Sequence, residues 1–220
     1  MKIYFFSSAF FRRKETFMYV VTLNRQFGSL GRPIARRMAE ILDINYYDRD
    51  IVERTASSLN LSVSTISAVE EYATSRFSFM CYPLGDQSPE VQDQIYKVQE
   101  KIIRDLAAKE SCIIVGRCAD YILKDFENRI DIYIVAPYQD RYDNCIHQLY
   151  MEPKEAKYMM KTVDKARDVY HKKYAGYPLG DYRYKDMILN SSLLGVEGTA
   201  QYLSDLVIKR FDLKKKGEGQ

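Results

Sequence analysis

Apolar positions along the chain switch between short unbroken runs and longer stretches that recur every three to four residues. Tyr19-Val20-Val21-Thr22-Leu23 is a compact β-rich run followed by a glycine-containing loop. Ile34, Met38, Ile41 and Leu42 then share one face of a helix with Pro33 in its first turn. Ile44-Asn45-Tyr46-Tyr47 reads as a weaker strand, and Ile51, Ile66, Val69, Ala73 and Phe77 belong to one or two helices beyond it. Ser88-Pro89-Glu90 starts a further helix, in which Val91, Ile95, Val98, Ile102 and Leu106 keep helical spacing. Ser111 to Val115 and Asp131 to Ala136 are continuous apolar runs, closed by Gly116-Arg117 and by Pro137. A long polar helix is predicted over Pro153 to Tyr174, a short strand over Asp186 to Leu189, and a closing amphipathic helix over Gly198 to Phe211.

Strands that are apolar throughout are buried on both faces, as parallel sheets with flanking helices require. Their alternation with helices predicts an α/β, three-layer doubly wound fold. Ligands in such folds collect at the carboxyl ends of the strands. The loops after Leu23, Tyr47, Val115 and Ala136 are therefore where chemistry is expected. One domain is expected over residues 18–212, with 1–17 as an extension and 213–220 as a frayed tail. The N-terminal apolar stretch is interrupted by Ser7 and Ser8 and followed by Arg12 and Arg13, which argues against a secretory signal. Tyr82-Pro83-Leu84-Gly85-Asp86 is echoed by Tyr177-Pro178-Leu179-Gly180-Asp181 with no similarity around it, and reads as two turns of like composition.

Composition narrows the classes. Among 220 residues, 46% are hydrophobic and 29% charged, which excludes wholesale disorder and a collagen-like chain. Lys+Arg 33 against Asp+Glu 30 leaves a net charge of +3, with an isoelectric point of about 8.5. That is too mild for a dedicated nucleic-acid binder. No apolar run reaches the ~18 residues that span a bilayer. Neither nucleic acid nor a membrane is thus expected as a partner. Cys81, Cys112, Cys118 and Cys145 form no CxxC pair and are expected as buried thiols in a reducing compartment, the cytoplasm. The oligomeric state is left open.

The first loop reads Asn24-Arg25-Gln26-Phe27-Gly28-Ser29-Leu30-Gly31-Arg32-Pro33. A phosphate cradle needs small residues that turn backbone N–H groups inward, directly followed by a helix N-terminus. Against GxxxxGK[ST], Gly31 fits the second glycine, while Gln26, Arg32 and Pro33 replace the first glycine, the lysine and the hydroxyl residue. The strand before and the helix after supply the context that the motif requires. An ordinary tight turn between strand and helix is the alternative.

Three blocks in order, Arg25 to Arg32, Tyr46-Tyr47-Asp48-Arg49-Asp50-Ile51 and Ile114-Val115-Gly116-Arg117-Cys118-Ala119-Asp120-Tyr121-Ile122-Leu123, resemble the cytidylate kinase-like family of P-loop nucleoside monophosphate kinases. The resemblance runs from about Met18 to Phe211. It implies a five-stranded parallel sheet, ATP and Mg2+ as cofactors, small-molecule nucleotides as partners, an acceptor region over about 50–105 and a lid over about 153–184. It also implies that Gln26, Phe27, Gly28, Ser29, Leu30, Gly31, Arg32 and Pro33 cradle ATP, with Arg32 on the β- and γ-phosphates. Leu30 stands where the family usually has glycine. Asp48 and Arg49 would begin the monophosphate site, Arg54 would meet the substrate phosphate or lie on an exposed helix face, and Gly116 and Arg117 would meet the acceptor phosphate. Asp120 would stand in for a family aspartate that is here Cys118, or merely cap a helix. Asp164 and Arg167 match the family's lid Asp-x-x-Arg, the arginine spanning the transferring group; a surface ion pair is the alternative. Arg141 would lie beneath the adenine. His171, Lys172 and Lys173 add positive charge, and phosphoryl transfer needs no histidine.

Two absences stand out. Neither Ile113-Ile114-Val115 nor Val135 offers the carboxylate that such kinases place there, so magnesium is expected to be held through water and by Asp48 or Asp120. The leading expectation is ATP-dependent phosphorylation of CMP or dCMP. The rivals are a degenerate kinase acting as a nucleotide sensor or partner-binding module, and a small-molecule kinase with a different acceptor; Tyr72, Phe77, Phe79 and Tyr82 would stack a base, line an unrelated pocket or simply pack in the core.

Overall fold

The chain alternates strand and helix from Val20 onwards because unbroken apolar runs alternate with stretches whose apolar residues recur at helical spacing. The computed structural model describes residues 17–59 and 89–213. The N-terminal extension, positions 66–82 of the acceptor region and the first Tyr-Pro-Leu-Gly-Asp copy lie outside the described residues. Strand β1 (Val20–Arg25) leads through the loop into α1 (Gly31–Leu42), then β2 (Asn45–Tyr47) and α2 (Arg49–Ser58). After α3 (Pro89–Lys109) come β3 (Cys112–Val115), the short α4 (Ala119–Ile122), β4 (Arg129–Val135), α5 (Tyr138–His147) and α6 (Pro153–Ala175). Strand β5 (Met187–Asn190) and α7 (Gly195–Arg210) close the fold.

The five strands are all parallel, in the order β2-β3-β1-β4-β5. Alternate residues of each strand feed two layers. Val21, Leu23, Ile113, Val115, Ile132 and Ile134 pack on Ile34 and Met38 of α1 and on Leu203 and Val207 of α7. Val20, Cys112 and Ile114 pack on Ile103 and Leu106 of α3 and on Ala119 and Ile122 of α4. Each fully buried side chain of this kind contributes about 1.5–3 kcal/mol. A third cluster joins α5 and α6 through Cys145, Met151, Ala156, Met159, Met160 and Val163, with Phe27 of the loop inserted among them.

Helix α5 is the element that apolar periodicity does not announce. Of its ten residues only Cys145 is buried, so no stripe marks it. It packs through Cys145, Tyr142 and Ile146 and binds the loop through Arg141 and Asn144.

On the second sheet face β4 contributes a buried acid rather than an apolar residue. Asp131 Oδ1 accepts from Thr22 Oγ1 at 2.5 Å and Oδ2 from Arg129 Nε at 2.7 Å. Burial pushes Asp131 up to about 6, against the pull of Thr22 and Arg129, with Asp120 and Asp186 adding to the rise. The folded chain thus takes up this proton more readily than the unfolded chain, whose value lies near 3.8. Stability contributed here falls as pH rises from about 4 to about 6, by about 3 kcal/mol in all. Relative to the wild type, Asp131→Asn is expected to gain that amount between pH 4 and pH 7. Urea melts at both pH values check it, and a difference independent of pH would refute it.

Candidate phosphate-binding site

The site lies where a parallel sheet places ligands, at the carboxyl ends of β1, β2 and β3. Leu30 adopts the left-handed conformation, φ 57° and ψ 25°, and α1 starts at the next residue. The first amides of any helix have no partner within it and point outward with the positive end of its dipole. Here they open into a cavity of about 50 Å³ bounded by the loop, Arg25, Leu149 and Arg167. That volume holds a few waters. A far larger open cleft of about 1340 Å³ sits at the amino ends of the strands, beside Ala39, Tyr46, Lys109 and Phe126. The small cavity is the better candidate because the helix dipole and the cations point into it.

Those cations converge on one carboxylate. Asp48, between β2 and α2, is buried, with Oδ2 against Arg32 Nε and Oδ1 3.8 Å from Arg25 Nη2. Burial would raise its pKa, but Arg25, Arg32 and Arg117 outweigh that and bring it to about 2. Arg25 in turn lies among Arg167, Arg32 and Arg117; burial and these neighbours push its guanidinium well below the usual range, and Asp48 opposes them. Three guanidiniums around one buried acid, with Arg167 beside Arg25, leave an excess of positive charge in a low-dielectric corner, which favours an anion. Arg25 closes β1 at its carboxyl end, where its neighbours along the chain do not mark it as buried. It fits there because Gly31 and Gly116 carry no side chain: a Cβ at Gly31 would sit 2.7 Å from Arg25 Cβ, and one at Gly116 2.6 Å from Arg25 Nη1.

The loop is held from behind. Gln26 Oε1 accepts from the Ala136 amide at 3.1 Å, Asn144 Nδ2 donates to the Gly28 carbonyl at 3.0 Å, and Ser191 Oγ donates to the Ser29 carbonyl at 2.8 Å. The Ser29 side chain is fully buried and its hydroxyl donates to the carbonyls of Gln26 and Ile134. Ser29 therefore shapes the loop instead of lining its mouth, and the Phe27 side chain anchors the loop in the α5–α6 core. Pro33 lies in the first turn of α1, where its missing N–H is tolerated.

Helix α6 reaches across the loop with both of its singled-out residues. Asp164 Oδ1 accepts from the Phe27 amide at 2.7 Å, and Oδ2 pairs with Arg141. Arg167 Nη1 donates to the Arg25 carbonyl at 3.0 Å. Arg141 also donates to the Phe27 carbonyl at 3.1 Å. Its guanidinium is thus committed to the loop and α6, which corrects the expectation of a cation free to lie beneath a base.

Among the acceptor candidates, Arg49 is the first residue of α2, and Arg54 is exposed with its guanidinium 5.4 Å from the Tyr47 ring centre. Gly116, Arg117 and Cys118 all have positive φ, at 74°, 59° and 53°. Three successive left-handed residues are costly where two are not glycine, and the turn aims Arg117 at the Asp48 cluster. Asp120 is corrected outright. It lies in the first turn of α4, and its carboxylate is sealed against His171 and Lys185, partners that compensate a charge burial alone would expel. Asp120 cannot serve magnesium from there. Asp48 is likewise occupied by arginines, and among the described residues no three His, Cys, Asp or Glu side chains gather as a metal cage. The described protein side of a magnesium site does not fit. No helix among the described residues is long and apolar enough to cross a membrane.

Comparison with known proteins bears on this arrangement. No functionally curated protein matches the chain in sequence. A crystal structure of an uncharacterized protein from Eubacterium ventriosum ATCC 27560 is 27% identical, with a TM-score of 0.62, covering 90% of this chain and 100% of its own. The shikimate kinase from Bacteroides thetaiotaomicron gives a TM-score of 0.53 at 13% identity over 87% of this chain and 99% of its own. The shikimate kinase from Acinetobacter baumannii, solved with shikimate, gives 0.51 at 11% over 88% and 94%. Likeness at that identity shows a shared fold, the α/β fold of P-loop kinases. The sequence profile of the cytidylate kinase-like family matches residues 20–193, from β1 to the turn after β5. With its phosphate loop, its arginine cluster and that match in one frame, this chain belongs to the cytidylate kinase-like family of kinases.

Proposed function

We propose that the protein transfers the γ-phosphoryl group of ATP to a nucleoside monophosphate, CMP or dCMP. One observation carries the reading: three arginines, from β1, α1 and the turn after β3, surround Asp48 beside the N-terminus of α1, and a fourth, Arg167 of α6, lies beside Arg25. Phosphoryl transfer asks mainly for positioning and for neutralisation of charge spread over phosphate oxygens. In this reading the amides of residues 28–32 hold the phosphates of ATP and Arg32 neutralises the β- and γ-groups. Arg167 spans the transferring group, and Arg117 with Arg25 receives the acceptor phosphate. Asp48 keeps the arginines in place until an anion takes over. Arg49 and Arg54 stand on the acceptor side. Magnesium, brought in with ATP, would add charge neutralisation between phosphates; no residue is assigned to it.

The test is ADP release from ATP with CMP, dCMP, UMP and AMP in turn, alongside calorimetric titration of each nucleotide with and without magnesium. Turnover confined to cytidine monophosphates supports the reading. A second reading, a nucleotide-binding module without turnover, is favoured by the Asp164 carboxylate on the Phe27 amide, which occupies a donor of the loop. It expects tight ATP binding, indifferent to magnesium, and no ADP.

Leu30 offers an independent check on the loop. Glycine there removes a left-handed penalty of about 1–2 kcal/mol and adds an unfolded-state entropy cost of up to about 1 kcal/mol. Leu30→Gly is therefore expected to remain within about 1 kcal/mol of wild-type stability while ATP binds more tightly. Weaker ATP binding by the variant would count against this account of the cradle.

A further inference from the structure

The charged groups that the phosphate site leaves unused meet in one sealed place. Asp120 of α4, His171 of α6 and Lys185 of the segment before β5 have side chains 1%, 1% and 0% exposed. His171 Nε2 lies 3.0 and 3.2 Å from the two Asp120 oxygens, and Nδ1 lies 2.9 Å from the Tyr177 carbonyl. Both ring nitrogens thus face oxygen atoms. Lys185 Nζ pairs with Asp120 Oδ2. The Tyr177 ring stacks on Tyr184 with centroids 3.7 Å apart, and Lys185 lies beneath it, 5.9 Å from its centre. Although burial would raise it, the Asp120 carboxyl is held well below the usual range by His171 and Lys185.

A buried ionic trio adds little net stability over apolar side chains of the same shape, and its best-attested use is to fix register. Its position shows which register. His171 follows Arg167 by four residues, hence one turn along the same face of α6. Asp120 follows Arg117 by three, and between them lies the strained left-handed turn, whose Gly116 carbonyl accepts from the Ala119 amide at 3.1 Å. The His171–Asp120 contact thereby sets the distance between two arginines on different elements. Strained backbone persists only where its surroundings over-determine it: the Gly116 amide ties this turn to the Leu23 carbonyl of β1, and the trio ties it to α6.

Resting on the phosphotransfer reading above, we infer that Asp120, His171 and Lys185 are positioning residues that lock the Arg117 turn to α6, so that Arg117 and Arg167 reach the transferring phosphoryl group together. None of the three touches substrate; they act through the two arginines.

The test compares His171→Leu, Lys185→Met and the conservative His171→Gln, which keeps a donor towards Asp120. His171→Leu and Lys185→Met are expected to lower kcat by at least tenfold, with the KM for ATP changed less than threefold. His171→Gln is expected to recover most of the loss. Amide exchange of residues 117–119 should quicken in both damaging variants while protection in α7 stays as in the wild type. A kcat within twofold of wild type in His171→Leu, or a loss of activity that merely tracks the unfolded fraction, overturns the inference. If the wild type turns over no monophosphate, the phosphotransfer reading has failed and exchange alone decides: a quickened 117–119 turn supports the device, and an unchanged one overturns it.

Discussion

Replacing Asp48 by alanine is expected to destabilise the fold by about 3–5 kcal/mol, the loss typical when one partner of a buried charge network is removed. Its side chain is only 4% exposed and faces Arg25 and Arg32, so the variant leaves guanidiniums repelling one another without a counter-charge. A pH signature accompanies the loss. The folded Asp48 carboxyl, near 2, lies below its unfolded value near 3.8. This contribution of about 2 kcal/mol is therefore fully present above pH 4 and disappears as pH falls from 4 towards 2. Wild-type urea melts should show it, and those of Asp48→Ala should not. A polyanion can replace the missing carboxylate, so ATP or tripolyphosphate should raise the melting temperature of the variant more than that of the wild type. Equal shifts in the two proteins would mean that the arginines around Asp48 are not where polyphosphate binds.

Removing Arg32 should have the larger effect on chemistry. Arginines that stabilise charge on a transferring phosphoryl group are worth about 10³–10⁵ in rate, and Arg32→Ala is expected to lower kcat/KM about 10³-fold, near 4 kcal/mol of transition-state stabilisation. Stability should suffer less than in Asp48→Ala, since Arg25 and Arg117 still face the carboxylate. Arg32→Lys separates charge from shape. A guanidinium can hold Asp48 with Nε and offer its remaining donors to phosphate, whereas an ammonium is a compact point charge. Only a minor part of the activity should return. Coupled ADP release gives all three numbers, and an Arg32→Ala enzyme within fivefold of wild type would remove Arg32 from the phosphate path.

Different parts of this protein were legible to different degrees. Strands β1, β3 and β4 and helices α1, α3 and α6 stand in the apolar pattern, because burial on both faces or along one stripe leaves a period that survives in one dimension. Strand β4 starts at Arg129, two residues before the apolar run, because Arg129 serves as the partner of Asp131 and so extends the sheet with a charge. Helix α5 escaped because a single buried residue leaves no stripe. Arg25 escaped because nothing in its neighbours along the chain tells a buried arginine from a solvated one.

By itself the sequence determined the order of most elements, the class of fold, and the place of the glycine-containing loop between β1 and α1. These depend on composition and on spacings of a few residues, which local physical chemistry sets. Only the tertiary structure decided which charges meet. Asp48 finds Arg25 and Arg32 within 23 residues, but Asp164 reaches the Phe27 amide across 137, and Asp120 finds His171 and Lys185 across 51 and 65. The same Asp120 suits a cap, a ligand site or a buried trio equally well as a letter in a row. What selects among them is the low dielectric of the closed sheet face, where a carboxylate is retained only opposite cations that the fold itself brings there.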